Sequence, residues 1–423
     1  MIELKPIYNC EDFKSVFSDA TSETNLEQTE QVMQILQTVR KNKDRALREY
    51  TAKFDQQEIT DFKVPAEFLK ASYESLEPDL QNALQFIKQR IESYEIQIKH
   101  QDLDLGEFQY VYHPLEKVGF YVPGGQALYP SSVLMSIIAA KVADVAEIHV
   151  VTPTYTENNI TFATLFVCGV ENVYTVGGAQ AIAALAYGTE TIPKVDKIVG
   201  PGNSFVANAK RLVFGEVGID MIAGPSEILV YIDQSANPDA VVLDLFAQAE
   251  HDPEARTFLT AESSDLLETV RLKVLEALPS QVRSEIIAKS LQNNHYSIVG
   301  NREDLINIIN YIAPEHVSIQ HQAASEIIPQ IKYAGAVFQG NFSPEAVGDY
   351  VAGPSHVLPT NRSARFSHGL NVNDFLTSHA IINIKQDTFQ KIVDPAIEIA
   401  QAEGLFCHAE SLKIRKDELE NNK

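Results

Sequence analysis

The stretch NVYTVGGAQAIAALAYGTETIPKVDKIVGPGN (residues 172–203) decides the fold. A short β-branched run ends in two glycines. An Ala-rich apolar run follows, and a second β-branched run, KIV, ends in Gly-Pro-Gly. This is strand, turn, helix, strand. The same pitch continues outward, with EIHVVTP (147–153) before it and EILVYID (227–233) after it. The helical run SSVLMSIIAAKVADV (131–145) comes just before the first of these strands, and FVANAKRLVFG (205–215) lies between the last two. Strand and helix alternating at this spacing predict a parallel, doubly wound sheet. The near-continuous apolar strands fit burial on both faces. Ligands of such sheets sit at the carboxyl ends of strands. There the sequence places Gly177-Gly178-Ala179-Gln180 and Gly200-Pro201-Gly202-Asn203. Neither turn matches the GxGxxG dinucleotide fingerprint, so the glycines by themselves establish tight strand-to-helix turns and nothing more.

Further along, TFLTAES (257–263), YSIVGN (296–301) and GAVFQG (335–340) read as more strands, which gives a second α/β unit of similar size. Upstream, Val32, Leu36, Val39, Leu47, Tyr50 and Phe54 fit one helical period, and Leu80, Leu84, Ile87, Ile91, Tyr94 and Ile98 fit another. The chain from Asp374 onward is expected to be helical and to end in the charged tail KIRKDELENNK. The fold class is therefore α/β. Two doubly wound, Rossmann-like parallel-sheet domains are expected, with a helical N-terminal segment and a helical C-terminal arm. The expected division is 1–26 as N-terminal segment, 27–114 with 234–373 as one α/β domain, 115–233 as the other, and 374–423 as the arm.

Composition bounds the function. The 423 residues are 45% hydrophobic and 22% charged, an ordinary globular mix with room for two or three cores. The formal net charge of −23 disfavours nucleic acid and anionic membrane as partners. The opening MIELKPIYNCEDF lacks the apolar core of a secretory leader, so a cytoplasmic location is expected. Three scattered cysteines, Cys10, Cys168 and Cys407, make neither a disulfide framework nor a cysteine zinc site.

Polar clusters carry the chemistry. In NPDAVVLDLFAQAEHDP (237–253), Asn237 is a good N-cap, Pro238 suits the first helical position and Pro253 stops the run. Gln248 and His251 stand three residues apart near its end, where an amide oxygen and an imidazole nitrogen on one face could hold zinc. On the pair alone, a polar helix end exposed to water is the simpler explanation. Other clusters are Pro314-Glu315-His316, Gly348-Asp349-Tyr350, Gly353-Pro354-Ser355-His356, and Glu403 shortly before Cys407-His408. Each has a plain structural explanation, as a surface pair, a turn or a solvated side chain.

Together, VGFYVPGG, VGGAQAIAALAYGT, VDKIVGPGN, DMIAGPSEILV, AQAEHDP, APEH and GDYVAGPSHVLPT, in this order, closely resemble the histidinol dehydrogenase family. The resemblance runs from about Glu27 to about Lys413. It implies oxidation of L-histidinol to L-histidine in two NAD-dependent steps through a bound L-histidinal, at the end of histidine biosynthesis. It further implies zinc bound by Gln248, His251, Asp349 and His408, and an acid–base pair Glu315 and His316. Substrate contacts fall on Ser226, Glu403 and His356, besides the metal ligands and His316. NAD contacts fall on Tyr121, Gln180 and Asn203. A homodimer with shared sites is implied, His408 and Glu403 crossing to the partner. A related zinc- and NAD-dependent dehydrogenase of another small polar alcohol is the nearest rival. A cysteine-based aldehyde oxidation is a second, for which Cys407 is better placed than the apolar-flanked Cys168. A binding protein without catalysis is a third, and the complete polar set speaks against it.

Overall fold

The computed structural model describes residues 3–17, 26–124, 130–153, 160–222 and 224–421. Two motif positions, Gly125 and Ala223, and residues 18–25 of the N-terminal segment lie outside them. The chain divides into two units, 1–99 with 115–375, and 100–114 with 376–423.

The first unit contains two parallel sheets. In one, five strands run in the spatial order Asn172–Thr175, Glu147–Thr152, Lys117–Tyr121, Lys197–Val199, Gly218–Ile219. Counted along the chain this is third, second, first, fourth, fifth, the Rossmann winding, and the order reverses between Lys117–Tyr121 and Lys197–Val199. In the other, six strands run in the order Ile7–Asn9, His295–Val299, Arg256–Ala261, Glu227–Ile232, His316–Gln320, Ala336–Gln339. Apart from the short Ile7–Asn9 edge strand, the winding is the same, and its order reverses between Glu227–Ile232 and His316–Gln320.

The central strand Glu227–Ile232 is buried throughout, because helices cover both faces of its sheet. Ile228, Val230 and Ile232 pack with Val241 and Leu245 of the helix Pro238–Ala249. Leu229 and Tyr231 point the other way, into a core shared with Leu305 and Ile309 of the helix Arg302–Ile312. Period-two alternation thus serves two apolar layers at once, which explains the unbroken run of apolar residues.

The expected division of the chain does not follow these layers. Val32, Leu36, Val39 and Leu47 of the helix Leu26–Phe54 share a core with Ala179, Ile182 and Leu185, so this helix packs on the five-stranded side. Glu227–Ile232, assigned by sequence to the domain ending at 233, is the centre of the six-stranded sheet. The chain passes between sheets before this strand, because only the six-stranded sheet offers it a parallel neighbour on each side.

The second unit holds a three-stranded antiparallel sheet in the order Leu376–Ile382, Phe108–Pro114, Leu103–Asp104. The helices Gln386–Ala402 and Phe406–Asn421 follow it and pack through Val393, Ile397, Ala400 and Ala409. The expected helix from Asp374 thus begins only at Gln386. LTSHAII forms a strand because its backbone finds seven ladder partners on Phe108–Pro114. Among the described residues no helix is long and apolar enough to cross a membrane.

Candidate active site

Two groups of side chains gather in the first unit, one at each sheet. At the five-stranded sheet, Tyr121 ends its strand buried, and its hydroxyl accepts the Gly178 N–H at 3.3 Å. Gln180 is buried in the first turn of the next helix. Asn203 caps the helix Ser204–Val213, accepting the Phe205 and Val206 N–H groups at 3.1 Å each. Tyr121 ends the strand beside the winding reversal, and Gln180 and Asn203 follow the carboxyl ends of Asn172–Thr175 and Lys197–Val199, the strand ends at which the sequence places their turns. The Gly200 turn is clamped from beneath. Gly200 N donates to Asp220 Oδ2 at 2.8 Å, Lys210 Nζ donates to Gly200 O at 2.8 Å, and Lys210 pairs with Asp220, both buried. At φ +121° and with the Tyr121 carbonyl against it, position 200 has no room for a Cβ.

The second group lies at the amino ends of the six-stranded sheet, opposite to where such sheets usually hold ligands. The helix Arg302–Ile312 ends on Ala313 in the left-handed conformation, and Pro314 prevents its continuation. The chain turns, and Glu315 and His316 enter the sheet. The backbone of Glu227, at the start of the neighbouring strand, holds both. Glu227 N donates to Glu315 Oε2 at 2.9 Å, and the Glu227 carbonyl lies 3.0 Å from His316 Nδ1. A carbonyl can only accept, so Nδ1 carries the proton and Nε2 bears the lone pair. That Nε2 is buried and has no hydrogen-bond partner among the described residues. Burial pushes the His316 pKa down to about 3, with His356 and His251 adding to the effect, so the ring is neutral near pH 7.

The helix Pro238–Ala249 starts as predicted, Asn237 accepting the Asp239 N–H. It stops before His251. Gln248 is buried in its last turn, whereas His251 is exposed in the turn beyond, so the pair does not share a regular helical face. The short helix Glu345–Tyr350 brings in Asp349. Gly348 lets this helix sit against the ring of Phe338, which is itself 6.0 Å from the His316 ring. His316, Glu345 and Asp349 offer ligand atoms all within 4.8 Å of one another. Burial raises the carboxyl pKa values of Glu315, Glu345 and Asp349, and brings Glu227 to about 7 despite its pairing with Arg256 at 3.1 Å. Buried acids crowded about a neutral imidazole suit a cation, either a metal ion or an ammonium group.

Ser226 is half-buried immediately before Glu227. Both ring nitrogens of His356 are engaged by protein, Nδ1 with the Asp349 carbonyl at 2.9 Å and Nε2 with Ser132 Oγ at 2.7 Å. A substrate contact through its ring must displace Ser132. Glu403 and His408 belong to the second unit, at the elbow between its two helices, and both are exposed. Cys168 is buried with its thiol pushed up to about 12 by burial, as a packing residue would be, and Cys407 is exposed. Sequence reasoning missed Glu345. The only available signal was its spacing of four from Asp349, and after Pro344 a Glu reads as an ordinary acidic first-turn residue.

The chain matches the family model described as histidinol dehydrogenase over residues 19–416. A histidinol dehydrogenase of Staphylococcus saprophyticus is 50% identical over 388 residues, 91% of this chain and 92% of its own. One of Staphylococcus aureus strain COL is 47% identical over 419 residues, 97% of this chain and 100% of its own. The crystal structure of histidinol dehydrogenase from Elizabethkingia anophelis superposes with a TM-score of 0.93 at 32% identity, over 99% of both chains.

Proposed function

The chain belongs to the histidinol dehydrogenase family, oxidoreductases of histidine biosynthesis, and from that premise we propose that it oxidises L-histidinol to L-histidine in two NAD-dependent steps at the amino ends of the six-stranded sheet. The observation that carries this is His316, a neutral buried imidazole whose Nδ1 is fixed by a backbone carbonyl and whose Nε2 has no partner among the described residues. Such a nitrogen is prepared to take a proton.

Zinc fits the donor set, with the Gln248 amide, His251 and Asp349 from one chain and His408 from a second copy as ligands. When bound, it supplies a positive centre that orients the amine and imidazole of the substrate. Tyr121, Gln180 and the Asn203 turn would hold NAD, which would supply the hydride acceptor. His316 Nε2 takes the alcohol proton as hydride leaves. Glu315, held by the Glu227 N–H and disposed by burial to bind a proton, takes one from the water that adds to the aldehyde. Ser226 and Glu403 hold the substrate's polar groups. Keeping the aldehyde in place through both steps spares it side reactions.

The direct test is stoichiometry. Protein incubated with zinc, L-histidinol and NAD is expected to form two NADH per histidine. One NADH with release of histidinal, or no turnover of histidinol alongside turnover of another amino alcohol, contradicts the reading.

Metal dependence gives a second expected result. Chelation abolishes turnover and added zinc restores it. His251→Asn loses zinc with little change in unfolding midpoint, because the side chain is exposed beyond a helix end and supports no core. Full activity in a rigorously metal-free preparation refutes this.

A covalent cysteine intermediate is excluded from the proposal. Cys168→Ala and Cys407→Ala are each expected to retain alcohol and aldehyde oxidation, measured separately. Loss of the aldehyde step alone in Cys407→Ala, with zinc still bound, favours a thiolate mechanism.

A further inference from the structure

Gln248 and Glu345 meet in the wall of the site. The Gln248 side-chain nitrogen donates to Glu345 Oε1 at 2.7 Å and to the Glu227 carbonyl at 3.2 Å. Both neighbours are acceptors, which settles the amide orientation. The nitrogen faces the protein, and the amide oxygen is left for another partner. Glu345 is almost wholly buried, with no Lys or Arg paired to it, and its other oxygen has no partner among the described residues. It stands one helical turn before Asp349 on the same short helix. A single turn of helix therefore carries one expected metal ligand and the carboxyl that orients another.

We propose that Glu345 is a positioning residue for the metal centre, acting through Gln248 by holding the amide so that its oxygen faces the ion. This rests on the reading of Gln248 as a ligand. Amides are weak ligands through oxygen and do not bind through neutral NH₂, so a Gln free to turn over presents the wrong atom part of the time. Outer partners that fix a ligand typically change metal affinity 10–100-fold, on the order of what the clamp should contribute here. Glu345 Oε1 is already occupied by the amide hydrogen, and direct coordination through that oxygen requires breaking the clamp.

The test measures zinc affinity of the full chain by competition with a chelator of known strength. Glu345→Leu, which removes the acceptor, is expected to weaken zinc binding by roughly 10–100-fold. Glu345→Gln, whose amide oxygen can still accept from Gln248, is expected to stay close to wild type. Adding Glu345→Leu to Gln248→Leu is expected to change nothing further, since the residue acts through Gln248. If Glu345→Leu does not fold, as judged by its unfolding midpoint, Glu345→Ala reads the same quantity. Wild-type affinity in the Leu or Ala variant overturns the proposal. So does a further loss in the Gln248→Leu background, which makes Glu345 a ligand in its own right. A wild-type chain that takes up no zinc overturns the metal reading itself, a result distinct from either.

Discussion

Protein refolded from an equal mixture of inactive Asp349→Ala and inactive His408→Ala chains is expected to regain about a quarter of its sites, by the counting that two-fold symmetry imposes on a shared site. Asp349 lies beside His316 and Glu345 in the first unit, while His408 and Glu403 project exposed from the second. Neither His408 nor Glu403 has a side-chain hydrogen bond or ion pair among the described residues, and Leu405 and Phe406 between them are 45% and 68% exposed. Apolar side chains beside unengaged polar ones suit a surface covered by another protein chain. In a mixed dimer, one site then takes both defects and the other takes neither. Half of the dimers are mixed under random pairing, hence the quarter. If the refolded wild-type control regains activity and the mixture stays dead, each chain supplies its own His408.

The second large effect divides the labour of Glu315 and His316. His316→Gln is expected to slow alcohol oxidation roughly 10²–10⁴-fold, the usual cost of losing a positioned acid–base group. Glu315→Gln is expected to spare alcohol oxidation and slow oxidation of added histidinal by a similar factor. The pH profile should separate them as well. With the His316 pKa near 3, its protonation does not limit the first step between pH 5 and 7, so any fall in rate there belongs to another group. Equal slowing of both steps in both variants refutes the assignment. Single-turnover measurement of NADH formation from each substrate makes the comparison.

Local signals were legible in the sequence and sheet membership was not. The Asn237 cap and the strand-end glycines each act within a few residues, and each is found where its chemistry puts it. The winding of both sheets follows from the alternation of strands and helices. What alternation leaves open is which sheet a strand joins. Glu227–Ile232 reads the same in either, and one of its two neighbours, His316–Gln320, lies far along the chain. That ambiguity also hid the site's position. Glu315, His316 and Ser226 stand at amino ends of strands, where the general rule for such sheets does not look. Glu345 was hidden for another reason, since its partner Gln248 is nearly a hundred residues away and the pairing exists only after folding.

The backbone of Glu227 grips Glu315, His316 and Gln248 together. Substitution by alanine leaves the backbone carbonyl and N–H in place, so alanine scanning passes over this anchor. Replacing the amide at residue 227 with an ester, which removes the N–H given to Glu315 and weakens the Ser226 carbonyl, would expose it. The shared anchor also shapes thermal motion. When the strand breathes, Glu315, His316 and the Gln248 amide are carried in one direction, and their mutual spacing is expected to fluctuate less than their distance to anything mounted elsewhere.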